Sequence, residues 1–199
     1  MELEKMALEI IALKNADLAL RERLAQDGKL SEGYGEDMKA LHNANAAKLS
    51  AIIDRIGYPT EDLVGKEAAA AAWLVIQHAI EQPEFMKKCH KLLESAVKEN
   101  RADPVSLAYL ADRIAVFENR LRQYGTQFDW DENGQLSPNP MDSLDKANER
   151  RKAIGLNSIE EQTDLMRQRV KSENQTQPTD FETRKKEMEA WKKKAGWIK

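Results

Sequence analysis

The stretch that decides the fold reads KEAAAAAWLVIQHAI and spans residues 66–80. It is apolar nearly all the way round a helix, a pattern typical of a helix buried on every side. Its five consecutive alanines, residues 68–72, would let the backbones of neighbouring helices approach closely. The sequence therefore predicts a central helix inside a mainly α, compact multi-helix bundle.

Helical periodicity continues on both sides of this central helix. Gly28 ends the first helix, and a short loop at Ser31–Gly35 leads into the second. The further helices are predicted at residues 2–27, 36–56, 83–99, 104–122, 143–154, 158–170 and 181–195.

One segment departs from the helical pattern. Residues 123–130 have the composition of a strand, and Asn133-Gly134 follows them. Asn-Gly between two extended runs is the strongest short-range signal for a hairpin. We therefore predict one small β-hairpin at about residues 123–138.

The end of the chain looks separable from the rest. We predict a single helical domain over residues 1–171, a polar linker at 172–179 and a C-terminal amphipathic docking helix at 180–199. Phe181, Met188 and Trp191 lie on one side of that helix and need a surface to cover them. That surface is the chain's own core, a second copy of the chain or a different protein partner; the sequence does not choose.

Composition excludes several classes of partner. The net charge is −3, whereas a nucleic-acid-binding protein needs a basic face, so no nucleic acid is expected. No segment approaches the ~18 apolar residues of a membrane span, so no membrane is expected either. A single cysteine, Cys89, favours a cytoplasmic location. Cofactor and metal motifs are also missing, and we predict no cofactor.

Two polar residues, Gln77 and His78, stand in the otherwise apolar central helix. An unpaired buried polar group costs about 1–3 kcal/mol, so each needs a partner or a ligand. Histidine is also a common general acid–base, which makes His78 a candidate catalytic residue and Gln77 a candidate binding residue. Glu67 shares a face with His78 and could line the same groove. The alternative, that His78 is an ordinary core histidine, stays open.

The second helix carries His42 and Asn45 on one face, and we predict both as binding residues. The alternative is an ordinary exposed face. Zinc needs three or four ligands, and no local spacing supplies them. The sequence therefore predicts no metal site and no stoichiometric zinc; His42 and His78 are the ligands to test if a metal is found.

A second candidate set lies further along the chain. Asp112 and Arg113 interrupt an apolar helix, where Arg113 either clamps an anion or ties helices together. Tyr124-Gly125-Thr126-Gln127 is dense in hydrogen-bonding groups, as a polar pocket requires. We predict Asp112 and Arg113 as catalytic residues, Tyr124 and Gln127 as binding residues, and convergence of this set with His78.

Other charges fit solvated surfaces. Asp17 and Arg21 are four apart and match an ordinary surface pair. Residues 150–152, Arg-Arg-Lys, match a solvated helix face. We accordingly expect Arg113→Ala to cost more stability than Arg151→Ala.

Six motifs occur in a fixed order. The set resembles an uncharacterised bacterial family, a domain of unknown function, over about residues 5–165. The motifs are Gly57-Tyr58-Pro59, Val64-Gly65-Lys66-Glu67, Gln77-His78-Ala79, Tyr109-Leu110-Ala111-Asp112-Arg113, Tyr124-Gly125-Thr126-Gln127 and Glu149-Arg150-Arg151-Lys152 with Gly155-Leu156.

The resemblance implies that eight of the candidate residues form one site: His42, Asn45, Gln77, His78, Asp112, Arg113, Tyr124 and Gln127. It implies no particular activity. The sequence departs from the family pattern at residues 119–122, Asn-Arg-Leu-Arg, which predicts that the preceding helix is extended.

Three functions follow from these patterns. The first is a site for a small polar or anionic ligand, with acid–base or hydrolytic chemistry through histidine. The second is a protein–protein interaction protein, such as an immunity or antitoxin-like partner or a scaffold. The third is a stable bundle whose buried polar network only sets the fold. The sequence leaves open whether the chain is an enzyme.

Overall fold

A computed structural model describes residues 2–29 and 34–199. The chain forms two compact units, Met1–Asp103 and Pro104–Lys199. Both are mainly helical, and the predicted mainly α fold with one small hairpin is confirmed. The loop predicted at Ser31–Gly35 falls mostly on residues 30–33, which lie outside the described residues.

The first unit consists of helices only. They are α1 (Glu2–Gln26), α2 (Glu36–Ile56), α3 (Glu61–Val64), α4 (Lys66–His78) and α5 (Pro83–Lys98). The predicted central helix is α4, which packs against α1, α2, α3 and α5.

Small residues determine how the central helix packs. Ala68, Ala71 and Ala72 of α4 are almost completely buried, which lets the long α1 lie close against it. On α1, the buried positions Ile10, Leu13 and Leu24 follow helical spacing and form the facing stripe. This close packing brings the middle of α1 next to the C-terminal end of α4.

The second unit combines helices with the hairpin. Its elements are α6 (Pro104–Phe117), β1 (Phe128–Trp130), β2 (Leu136–Pro138), α7 (Leu144–Ala153), α8 (Ile159–Ser172) and α9 (Phe181–Ala195). The two strands pair antiparallel, with Trp130 opposite Leu136.

The helix α6 ends at Phe117, so the prediction that it extends through residues 119–122 is wrong. Asn119 adopts a left-handed conformation with φ 55°. Its backbone N–H bonds to the carbonyl of Val116, and that of Arg120 bonds to the carbonyl of Ala115. This pair of bonds with a left-handed residue is a Schellman termination, which Asn tolerates better than most residues.

The helix α9 packs within the second unit. Trp191 and Trp197 lie against the ring of Phe117, at centroid distances of 5.4 Å and 4.9 Å. The ammonium of Lys192 donates to the carbonyl of Val116 at 2.8 Å. A lysine at this position satisfies a carbonyl at the C-terminal end of α6 and complements the helix dipole.

The three residues predicted to form the apolar side of α9 therefore differ in burial. Trp191 packs on α6, Phe181 is half-buried, and Met188 remains 41% exposed. Partner binding or self-association through these three residues stays a prediction.

No helix in the described parts of the chain is long and apolar enough to cross a membrane.

Candidate functional site

A buried carboxylate lies at the centre of the candidate site. Asp17 is on α1, four residues after Leu13 and in step with the buried stripe that continues to Leu24. Helical spacing therefore turns its side chain inward, and only 1% of it is exposed. A charge at such a position needs partners from neighbouring helices.

Two histidines from two other helices supply those partners. Nδ1 of His78, at the end of α4, lies 2.6 Å from Oδ2 of Asp17. Nε2 of His42, on α2, lies 3.1 Å from the same oxygen. The two imidazole centroids are 5.0 Å apart. Three helices thus place three ionisable groups around one point.

The members of this Asp17 cluster, defined as Asp17, His42 and His78, differ in accessibility. His42 is 6% exposed and His78 is 25% exposed. Because only His78 reaches partly to the surface, it is the member that a small molecule would meet first.

The electrostatics of Asp17 favour the charged form. Burial by itself raises the pKa of this carboxyl, but the hydrogen bond of His78, the close approach of His42 and the positive charge of both rings outweigh burial. The net pKa of Asp17 lies well below its usual range. Asp17 is therefore an anion at every pH at which the protein would normally work.

A tyrosine completes the surroundings of His42. The hydroxyl of Tyr34 lies 3.0 Å from Nδ1 of His42, on the side of the ring away from Nε2. Burial, with the negative charges of Glu81 and Asp17, raises the pKa of Tyr34 well above its usual value. The phenol therefore stays protonated and can donate to or accept from the imidazole.

Two polar atoms in the cluster are left over. Among the described residues, Oδ1 of Asp17 and Nε2 of His42 are buried and have no hydrogen-bond partner. His42 Nε2 is close to Asp17 Oδ2, but the angle does not allow a hydrogen bond between them. Such unpaired buried atoms cost about 1–3 kcal/mol each, so a ligand that supplied partners for them would recover part of this cost.

The other predicted residues of the first unit divide between core and surface. Asn45 is buried, and its amide donates to the carbonyl of Leu13 at 3.1 Å, which ties α2 to α1. Gln77 is buried, and its Nε2 has no partner among the described residues. Glu67 is exposed and pairs with Lys14 at 3.0 Å, so the structure does not bring it to the Asp17 cluster.

In the second unit, Asp112 holds the segment that precedes the hairpin. Its carboxylate accepts backbone N–H bonds from Gln123, Tyr124 and Thr126 and the hydroxyl of Thr126. The amide of Gln127 donates to the same hydroxyl at 3.3 Å. These bonds explain why the strand begins only at Phe128.

Arg151 is the most buried arginine among the described residues and is 1% exposed. Its guanidinium donates to the carbonyls of Tyr124 and Asn157 and to the side-chain oxygen of Asn157. The prediction that residues 150–152 form a solvated helix face is therefore wrong at Arg151. Its charged neighbours suggested a solvated surface, whereas its hydrogen-bond partners lie 6 and 27 residues away in the sequence.

Arg113 is only half-buried. Its guanidinium carbon lies 5.8 Å from the ring centre of Phe117, and its Nε has no partner in the described ranges. Burial lowers the pKa of this guanidinium. The catalytic roles predicted for Asp112 and Arg113, and their convergence with His78 and Gln127, stay predictions.

The sequence reasoning missed Asp17 and Tyr34. For Asp17 a signal existed, because it occupies an apolar-stripe position on α1. The neighbouring Arg21 suggested a surface pair instead, but Arg21 is exposed while Asp17 is buried. Tyr34 stands between Gly33 and Gly35 in the sequence, where no periodicity indicates which way a side chain points.

Fold and cluster together define a class: a mainly helical protein with an internal carboxylate–dihistidine site. Within that class, the chain belongs to a family of unknown function, DUF6624, whose model matches residues 4–171. The resemblance to a domain of unknown function is thereby confirmed, while a bacterial origin stays a prediction. The match covers α1 to α8 almost completely and ends before α9. No curated protein and no solved structure matches the chain.

Proposed function

We propose that the chain is a hydrolytic enzyme that acts on a small polar molecule at the Asp17 cluster. The observation that carries the proposal is the 2.6 Å contact between the buried Asp17 carboxylate and Nδ1 of the partly exposed His78. A buried carboxylate behind an imidazole fixes the orientation of the ring and stabilises positive charge that develops nearby.

The chemistry requires activation of water. The cluster accepts one proton from a water molecule, and the resulting hydroxide attacks an electrophilic carbonyl or phosphoryl centre. The bond to the leaving group then breaks, and the proton is returned to the leaving group. Proton transfer of this kind contributes about 10²–10⁴-fold to the rate of a reaction.

The binding roles predicted for Gln77 and Asn45 fit this proposal unequally. The unpaired Nε2 of Gln77 is a donor that a polar substrate could use. The amide of Asn45 is already engaged with the Leu13 carbonyl. We therefore propose Gln77 as a binding residue and Asn45 as a residue that positions α2.

The test is a panel of chromogenic esters, phosphoesters and amides. We expect hydrolysis of at least one class by the wild-type chain, reduced about 100-fold or more by His78→Gln and by Asp17→Asn. The matched control is His90→Gln, because His90 is on α5 and outside the cluster. Equal rates for all variants, or no hydrolysis of any class, would contradict the proposal.

The alternative of an interaction protein has less support. The feature that suggests it is the C-terminal helix, whose residues Phe181, Met188 and Trp191 were predicted to dock on a partner. Trp191 and Trp197 already pack on Phe117, so part of that surface has an occupant within the chain. Binding of a protein partner through the exposed Met188 stays a prediction.

A further inference from the structure

We propose that the Asp17 cluster binds one divalent transition-metal ion of the zinc class, through Asp17, His42 and His78. This inference rests on the site of the proposed function and names the group that would activate the water. With the ion bound, Asp17 and His78 would both bind the metal, and these two ligand bonds would replace the direct 2.6 Å contact between them.

The first argument is the geometry of the ligand atoms. One carboxylate oxygen and one ring nitrogen from each histidine all lie within 4.8 Å of one another. Two ligands that are each about 2.1 Å from a metal are roughly 3.0–3.4 Å apart at the angles zinc sites use. The 3.1 Å contact between His42 and Asp17 already lies in this range, and the 2.6 Å contact between His78 and Asp17 would need to lengthen by about 0.4–0.8 Å.

The second argument is the unpaired nitrogen of His42. If Nδ1–H donates to the Tyr34 oxygen, Nε2 carries a lone pair that faces the Asp17 carboxylate, and the two repel each other. If the Tyr34 hydroxyl donates to Nδ1 instead, the Nε2–H does not point at Asp17 well enough for a hydrogen bond. A cation between the two groups would remove this repulsion in the first case. It would also explain why Nε2 of His42 has no hydrogen-bond partner.

The third argument is the outer partner of His42. Metal-binding histidines almost always use their other ring nitrogen in a hydrogen bond that fixes the tautomer. Tyr34 makes such a contact, with its hydroxyl 3.0 Å from Nδ1 of His42. Tyr34 is therefore assigned as a positioning residue for the metal ligand His42.

The ligand set also restricts the metal. Two imidazoles and one carboxylate suit zinc, iron(II) and similar ions, whereas Mg²⁺ and Ca²⁺ prefer oxygen ligands. Three protein ligands leave a coordination position open, as in catalytic rather than structural zinc sites. A water bound there would have its pKa lowered towards neutrality, which is the activation that hydrolysis requires.

The inference replaces the sequence prediction of no stoichiometric zinc. That prediction depended on the absence of ligands spaced closely along the chain. His42 and His78 are on different helices, and Asp17 was interpreted as a surface residue. Only folding brings the three ligands together.

The experiment is a titration of the full chain, freed of metal with a chelator, with Zn²⁺ by calorimetry and with Co²⁺ by visible absorption. We expect one ion per chain. Affinity should fall at least 100-fold in His42→Gln and in Asp17→Asn, about 10- to 100-fold in Tyr34→Phe, and not at all in His90→Gln. Less than about one-fifth of an ion per wild-type chain, or equal affinity in all variants, would overturn the inference.

A second measurement covers variants that fail to fold. X-ray absorption of the zinc-loaded wild-type chain should show two imidazoles and oxygen in the first coordination shell. A shell containing sulfur, or fewer than two imidazoles, would overturn the inference.

The outcomes separate the two proposals. Zinc binding without hydrolysis of any probe leaves the metal site standing and removes the proposed function. Hydrolysis that depends on His78 but is insensitive to a chelator removes the metal site and leaves the function.

Discussion

Replacing Asp17 with asparagine should destabilise the first unit. The substitution keeps the size of the side chain and removes its charge. Asp17 makes a 2.6 Å contact with His78 and a 3.1 Å contact with His42, and both lose their anionic partner. A hydrogen bond to a charged group contributes about 1.5–3 kcal/mol, so we expect Asp17→Asn to lower the free energy of unfolding by about 2–3 kcal/mol.

The effect should depend on pH in a defined direction. The folded-state pKa of Asp17 lies below its unfolded value of 3.8. The stabilisation is therefore complete above that unfolded pKa and is lost as the pH falls through the folded pKa. The stability difference between wild type and Asp17→Asn should narrow below the unfolded pKa, by up to about 1.4 kcal/mol per pH unit.

The assay is urea unfolding followed by circular dichroism, in buffer containing a chelator, from neutral pH down to about pH 3. Asp54→Asn is the matched control, because Asp54 is 61% exposed on α2 and pairs with Lys88 at the surface. It should change stability by no more than about 0.5 kcal/mol. Equal destabilisation by the two variants, or a stability difference that does not narrow in acid, would refute the reasoning.

Three further predictions concern the second unit. Arg151→Ala should cost about 3–5 kcal/mol because it removes three hydrogen bonds from a charged donor to part-buried oxygens. Arg113→Ala should cost about 0.5–1 kcal/mol for a lost cation–π contact, which reverses the order expected from the sequence; equal melting shifts in calorimetry would contradict this. Gly125→Ala should lower the urea midpoint more than Gly155→Ala. Both glycines have positive φ, but of the two only Gly125 would place a Cβ 2.3 Å from another side chain. Similar midpoints would show that the positive φ alone sets the loss of stability. A chain ending at Asn174 should stay helical but bind a hydrophobic dye more strongly, and unchanged dye binding would contradict the packing of α9 on α6.

Local signals were sufficient to predict several helices from the sequence. The helix α9 was predicted at 181–195 and occupies Phe181–Ala195. Asp180 caps its first turn by accepting from the N–H of Thr183, and Gly196 ends it with φ 84°. Both signals lie within one turn of the helix end that they define, so they can be identified from the sequence alone.

The end of α6 combines the local turn at Asn119 with a contact from far along the chain. Lys192 donates to the Val116 carbonyl and to the side chain of Asn119, at sequence separations of 76 and 73 residues. The composition of residues 119–122 favours a longer helix, and no local pattern indicates that a distant lysine binds where this one stops.

The candidate site was predictable only in part. His42 and His78 were identified because each is a polar residue on a helix with apolar neighbours. Their common partner was not, because helix periodicity places Asp17 on the buried side of α1 but does not say which helices face it. Asp17, His42 and His78 are brought together only by the packing of three helices, so their spacing in the sequence does not indicate that they meet.

The central claim is that the buried Asp17 carboxylate holds His42 and His78 in one functional cluster. Nitrogen-15 NMR of the histidine side chains in the zinc-free chain tests it most directly. We expect His78 to be protonated on Nδ1, with a slowly exchanging, strongly downfield proton that is lost in Asp17→Asn, while the His90 signals stay unchanged. A rapidly exchanging His78 ring, with shifts that Asp17→Asn does not alter, would contradict the claim.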